Sequence, residues 1–269
     1  MTNGSPAVTG EPPKTCSEQT EKAFDTSMAR DSDQMVRETA MIGLSLRPAV
    51  LTGIVAPLGD DGRMSGIGKR PAAPPWTITT LGVQGDAQAD ARHHGGPEKA
   101  VHHYDFGHYP AWRAEIGERP ALTAPGGFGE NLSTTGWDES QVHIGDILRF
   151  GSAVLQVSQG RQPCWKLNVR FACADMALRV QSSGRTGWYY RVLEEGLATP
   201  EDDLRLIGRL QPSWPLTRII ALLYRKTGDR ADLTAMAELP ELAEGWRVLA
   251  RRRLERNAVE DWSRRLVGD

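Results

Sequence analysis

Three polar stretches of this 269-residue chain carry residue types that do chemistry. The densest is Gly85-Asp86-Ala87-Gln88-Ala89-Asp90-Ala91-Arg92-His93-His94-Gly95-Gly96-Pro97-Glu98-Lys99-Ala100-Val101, and five of the six histidines fall between positions 93 and 108. Backbone N–H groups at Gly95 and Gly96, with a helix start behind them, would bind an anion. Imidazoles are also common zinc ligands. The zinc motif His-Glu-x-x-His is missing, however. Composition alone favours the plainest reading, a loop of surface and core histidines. The second stretch is Pro125-Gly126-Gly127-Phe128-Gly129-Glu130-Asn131-Leu132. Three glycines in four positions permit close backbone approach, with Asn131 able to donate and accept near a ligand. A simple turn is the competing reading. The third is Val157-Ser158-Gln159-Gly160-Arg161-Gln162-Pro163-Cys164-Trp165-Lys166-Leu167, one cysteine between two cations. Nearby positive charge favours thiolate, the form that attacks or ligates soft metals. Cys173, in Phe171-Ala172-Cys173-Ala174, reads as a small core residue in a helix, and Cys16 as incidental.

The elements that must position these groups are mostly short strands. Ala49–Ala56 and Trp76–Val83 are β-rich runs. Gly145–Phe150 and Asp202–Ile207 each read as a turn and a strand, and Ala153–Val157 completes a hairpin around Gly151-Ser152. Trp188–Leu193 is a further strand. Residues 98–116 shift to helical spacing through Ala100, Tyr104, Tyr109, Trp112 and Ile116, with Pro110 as a break. Many short strands with few helices between them point to an antiparallel barrel or sandwich. After Trp214 the period becomes helical. Pro215 opens Leu216–Leu223, Gly228 caps it, a short helix holds Leu233–Ala237, and a stripe runs from Leu242 to Leu266 as one helix or two. Its arginines at 251–253, 264 and 265 interleave with Glu255, Glu260 and Asp261, which reads as a solvated face. Residues 1–45 are polar, with a weak helix over 21–38 at most, and read as a disordered extension.

Composition narrows the function. Lys and Arg total 32 against 34 Asp and Glu, so the chain lacks the basic excess of a nucleic-acid binder. No run approaches the ~18 apolar residues of a membrane helix. Three cysteines and no visible secretory signal fit a cytoplasmic protein.

Taken in order, these stretches resemble the MOSC domain, the molybdenum cofactor sulfurase C-terminal domain, in its YiiM-like branch. The resemblance rests on Gly66-Ile67-Gly68-Lys69, the Gly85–Gly96 stretch, Phe128–Leu132, Gly145-Asp146, Ser158–Leu167 and Gly184-Arg185-Thr186-Gly187-Trp188-Tyr189. It spans roughly residues 49–269. Gly160 stands where the family loop usually has proline, and Glu98 where it has aspartate.

The resemblance implies a mainly β fold: a MOSC-type antiparallel β-barrel with a few helices over residues 46–211, then a small three-helix domain over 212–269. It implies a molybdopterin-type molybdenum cofactor, with Cys164 as metal ligand and catalytic residue. Lys69, His93, His94, Gly95, Gly129, Glu130, Asn131, Ser158, Gln159 and Arg161 would be cofactor-binding. Lys69 and Arg161 would suit its phosphate. The resemblance also implies pyridoxal phosphate binding. The expected activity is reduction of N-hydroxylated purines and related compounds, a detoxification. The sequence has no flavin, nicotinamide or haem motif, so electrons would come from a separate reductase. No nucleic-acid or membrane partner is expected, and a homodimer is open. The alternative is a sulfur or cofactor carrier that turns over no free substrate. A hydrolase metal site on His93, His94, His102 and His103 is a remote third reading.

Overall fold

The computed structural model describes Met1 and residues 45–60, 62–90, 94–224 and 229–268. The expectations placed on Cys16, residues 21–38, His93 and Gly228 therefore lie outside the described residues, as does the disordered extension, apart from its two ends. The strands are β1 (Ser45–Leu46), β2 (Ala49–Thr52), β3 (Ala56–Pro57), β4 (Met64–Ser65), β5 (Arg70–Pro71), β6 (Trp76–Thr79), β7 (Gly82–Val83), β8 (Val101–Asp105), β9 (Leu132–Thr134), β10 (Ile147–Phe150), β11 (Ala153–Gly160), β12 (Trp188–Glu194), β13 (Gly196–Ala198) and β14 (Leu204–Gly208). Nine of them form one sheet in the order β1-β14-β10-β11-β12-β8-β9-β2-β5. Every neighbouring pair is antiparallel except β8 and β9, which run parallel.

One short segment serves both ends of this sheet. β1 pairs with β14, and β2 pairs with β9 and β5, with only Arg47 and Pro48 between them. Proline has a fixed φ and no N–H to offer a ladder, so the chain bends there without leaving a donor unpaired. One continuous segment thereby links the two ends of the sheet, in the strand-rich, mainly antiparallel architecture the sequence leads one to expect. The β10–β11 hairpin turns at Gly151, whose φ is +59° and where a Cβ would sit 2.2 Å from the Leu197 carbonyl oxygen. All eight residues of β11 are buried, because neither of its faces is left to solvent.

Seven α-helices complete the described residues: α1 (Tyr109–Ile116), α2 (Lys166–Arg170), α3 (Met176–Ser183), α4 (Leu216–Tyr224), α5 (Arg230–Glu238), α6 (Glu244–Arg256) and α7 (Ser263–Val267). A core cluster packs Tyr104, Tyr109, Trp112, Phe128, Leu167, Phe171 and Met176 together with Leu266 of α7. Within it, Tyr104 stacks on Phe128 at 4.0 Å, and the Trp112 indole donates to the Tyr104 hydroxyl at 2.6 Å.

Several expectations are corrected. The helical spacing over 98–116 conceals a strand: Val101–Asp105 is β8, and α-helix begins only at Tyr109. Val, His and Tyr suit a pleated surface, and pairing on both sides overrides the helical period. Pro110 lies in the first turn of α1 and breaks nothing. Of the two readings open for the Leu242–Leu266 stripe, the structure takes two helices, separated after Asn257 adopts a left-handed φ of +49°. Cys173 lies in the turn between α2 and α3, half-buried, its thiol 3.3 Å from an Asp175 oxygen. Arg253 is buried rather than solvated. It donates to the Leu222 and Leu223 carbonyls at 2.9 and 2.8 Å and pairs with Glu260 at 2.6 Å. Those carbonyls lie in the last turn of α4.

His103 is a core residue bonded at both ring nitrogens, to the Tyr190 hydroxyl at 2.9 Å and the Thr134 hydroxyl at 2.8 Å. Burial holds its pKa down at about 3. The unfolded chain therefore takes up this proton first, so the stability is whole above about pH 6.5 and is lost as pH falls towards 3. The unfolding free energy from urea titrations should drop between pH 7 and 5, with a slope approaching roughly 1 kcal/mol per pH unit from this residue. A His103→Gln variant should show a shallower fall over the same range.

Candidate functional site

A narrow cleft gathers side chains from six separate parts of the chain. β8 supplies His102, and β12 sets Tyr189 directly opposite it, with ring centroids 4.9 Å apart. β11 ends at Gly160, so Arg161 and Cys164 ride on its exit loop, where the Arg161 N–H is held by the Gly187 carbonyl at 2.9 Å. Ser65, Gly66 and Ile67 form a further wall with Lys69, and Gln88, His94 and Lys99 come from the histidine stretch. Gly66 must be glycine, since a Cβ would lie 1.9 Å from the Ala87 carbonyl oxygen. The glycine loop contributes Phe128, Gly129 and, just beyond, Asn131.

That loop is organised by a carboxylate beneath it. Glu130 is fully buried and accepts from the Tyr109 hydroxyl at 2.6 Å, the Gly126 N–H at 2.6 Å and the Phe128 N–H at 3.0 Å. Burial pushes its carboxyl above the usual range even against these donors. Asn131 is similarly committed. Its Oδ1 accepts from the His102 N–H at 3.1 Å and its Nδ2 donates to the Leu51 carbonyl at 3.2 Å, so it ties β2 to β8 at the edge of the cleft.

The charges of the cleft are unequally neutralised. Lys69 is buried and paired with Asp86, whose Oδ1 also accepts the Gly53 N–H at 2.7 Å. Burial pulls the Lys69 pKa down, and the carboxylate opposes it. Arg161 is also buried, yet its Nη1 has no hydrogen-bond partner. Neither has His102 Nε2. His94 is held to a pKa of about 4 by burial and by the positive charges of Lys166 and Arg161. Burial and Arg161 likewise force His102 well below its ordinary value. Both rings are thus neutral at pH 7, and the cationic character belongs to lysine and arginine. Cys164, 7% exposed and unpaired, lies in this wall. The space that a water-sized sphere can reach is about 40 Å³. That is well under the ~300 Å³ of a typical small-molecule pocket, so the cleft has room for no more than one end of a ligand.

Of the residues singled out in the sequence, Lys69, His94, Gly129, Asn131, Arg161 and Cys164 meet here. Gly95 and Gln159 line a different cavity, of about 320 Å³, together with Trp246. Ser158 spends its hydroxyl on the carbonyls of Glu98 at 2.7 Å and Tyr189 at 3.1 Å. Behind Gly95-Gly96 stands only a three-residue 3-10 turn, Pro97–Lys99, so the expected helix N-terminus for an anion is missing. The histidine metal site fails on geometry. His102 and His103 are adjacent on a strand and point to opposite faces. Among the described residues no three metal-binding side chains cluster. Sequence reasoning left His102, Tyr189 and Lys99 out of the cleft. Strand register places the first two, and nothing in the spacing of Val-His-His-Tyr-Asp announces it.

The sequence profile of the MOSC domain matches residues 90–205, and that of the YiiM-like 3-alpha helix domain matches 214–257. Over 209 residues the chain is 38% identical to protein YiiM of Escherichia coli strain K12, covering 77% of this chain and 92% of that protein. The chain belongs to the YiiM-like MOSC family. The crystal structure of Escherichia coli YiiM superposes with a TM-score of 0.71 at 32% identity, covering 84% of this chain and all (100%) of that one. A protein of Gibberella moniliformis strain M3125 named "Reductase" is 39% identical over 167 residues, 62% of this chain and 30% of the fungal protein. MOSC domains are associated with molybdenum cofactor binding. The donor set of this YiiM-like cleft fits such a group: a soft thiol beside a buried guanidinium with an unused N–H. Among the described residues no helix is long and apolar enough to cross a membrane.

Removing one partner of a buried ion pair leaves the other charge uncompensated. Asp86→Asn should therefore cost roughly 3–5 kcal/mol in chemical denaturation. The double variant Lys69→Met with Asp86→Asn should recover most of that loss.

Proposed function

We propose that this protein reduces N-hydroxylated purines and related N-hydroxylated compounds with a molybdopterin-type cofactor held at Cys164. The observation that carries this reading is the buried, unpartnered Nη1 of Arg161 in the same cleft as the Cys164 thiol. A buried guanidinium nitrogen without a partner is costly, and an anionic ligand would relieve that cost. The relative named a reductase supports the reaction class.

In this reading Cys164 is the soft ligand to the metal. Arg161 and Lys166 face the anionic part of the cofactor, where charge-assisted hydrogen bonds are strongest. A phosphate of pyridoxal phosphate would meet the same cations. Lys69 contributes less field, because Asp86 already balances it. His94 and His102 are neutral at pH 7 and so exchange hydrogen bonds rather than charge. Burial raises the Tyr189 pKa above its ordinary value and keeps its hydroxyl protonated, a donor facing the cleft. A molybdenum centre held there would supply two-electron oxygen-atom transfer from an N–OH group. Electrons come from a separate reductase.

The test compares the protein and its Cys164→Ala variant, both made in a host that synthesises molybdenum cofactor. Molybdenum and oxidised-pterin fluorescence should accompany the parent and be lost from the variant. With a supplied reductant, N-hydroxylated purine should be consumed by the parent, and Cys164→Ser should lower the rate at least 100-fold. Full activity in Cys164→Ser would overturn the reading. A persulfide on Cys164 without molybdenum or turnover would establish the carrier role instead.

A further inference from the structure

The backbone on both sides of Cys164 is held by a single residue of the last helix. The Arg265 Nη1 donates to the carbonyl of Pro163. The Arg265 carbonyl accepts the N–H of Trp165 at 2.8 Å. These are the peptide groups that precede and follow Cys164, so fixing both restrains the two dihedrals that aim its thiol. Pro163 adds a locked φ of its own. The guanidinium is anchored in turn by Gln181 of α3, whose Oε1 accepts from Nη2 at 2.5 Å. Gln181 is 3% exposed, so this bond is shielded from water.

α7 itself is fastened from several directions. The Leu266 carbonyl accepts from Asn168 Nδ2 at 2.8 Å, and Asn168 Oδ1 accepts the Ala177 N–H at 2.7 Å. The Leu266 side chain packs in the core with Leu167 and Phe171. On the N-terminal side, Trp262 donates to Glu260 at 2.8 Å, and Glu260 is gripped by the buried Arg253 of α6. A continuous set of bonds therefore runs from α4 and α6 through Glu260 and α7 to the cysteine loop. The three-helix profile stops at residue 257, so the part that touches the loop lies beyond it.

We propose that the C-terminal helical region of this chain is a positioning clamp for Cys164, with Arg265 as the positioning residue. The proposal rests on Cys164 being the working residue of the cleft. Arg265 fixes the direction of the thiol and its shielding, and does not touch the ligand.

The test reads the thiol itself, without cofactor. Cofactor-free protein is alkylated with iodoacetamide, and the rates at Cys164 and Cys173 are resolved by peptide mass spectrometry. Arg265→Ala should accelerate labelling of Cys164 at least tenfold and leave Cys173 unchanged. Arg265→Lys should restore part of the protection, because an ammonium can reach one of the two acceptors but not fork between them. Gln181→Leu, which leaves Arg265 in place but removes its anchor, should give an intermediate rate and serves if Arg265→Ala does not fold. An unchanged Cys164 rate in both Arg265→Ala and Gln181→Leu would overturn the clamp. So would equal acceleration at Cys164 and Cys173, which marks general loosening. In the loaded protein, kcat should fall in Arg265→Ala with KM unchanged. If Cys164→Ser keeps full reductase activity, the proposed function fails while the labelling result still decides the clamp.

Discussion

The structure turns on where β8 is paired. It lies between β12, antiparallel, and β9, parallel, and all five of its residues are buried. A parallel neighbour cannot be reached by a tight turn, so the chain must cross over before it returns as β9. That crossover holds α1 and the glycine loop. The loop arrives at the cleft because β9 must begin beside His103. On the other side, pairing with β12 sets Tyr189 against His102. Two walls of the site thus follow from the neighbours of one strand.

The second organising feature is the uneven balance of buried charge. Three charged groups sit in or near the cleft with little access to water: Lys69, Asp86 and Arg161. Two of them neutralise each other. The third faces no carboxylate among the described residues: burial first, and then Arg161 with Lys166 beside His94, hold His94 and His102 uncharged, and one guanidinium nitrogen keeps an unused donor. A buried carboxylate, Glu130, is spent entirely on holding loop backbone and a tyrosine hydroxyl. The polar residues of the glycine and histidine stretches thus divide into those that build the walls and those that face the space between them.

The helical region contributes through hydrogen bonds to backbone rather than through side chains in the cleft. Arg253 satisfies the carbonyls at the end of α4, and Arg265 satisfies a carbonyl next to Cys164. Ala243, at the start of α6, donates its N–H to the Ser158 carbonyl in β11 at 2.9 Å. Arginine suits this role because one planar group can reach several acceptors at once. In the sequence these arginines sit among acids and look like a solvated face. Their burial depends on which side of each helix the barrel covers.

Local chemistry was legible in the sequence. The strand-rich character, the β10–β11 hairpin at Gly151-Ser152, the helical C-terminal region and the cysteine between cations all follow from residue type and spacing, because each depends on neighbours a few positions away. The six motif residues that meet in the cleft, from Lys69 to Cys164, were recognisable as a set only by their order along the chain. Other assignments were decided by the tertiary structure. Val101–Asp105 is a strand because two partners pair with it, against its own helical spacing. Glu130, Ser158 and Asn131 are committed to backbone because burial demands partners for every polar atom. Lys69 and Arg161 have the same charge and similar burial, and they differ because Asp86, 17 positions from Lys69, folds against one and not the other. Sequence spacing determines which groups are available, and only the packed chain determines which of them are already satisfied.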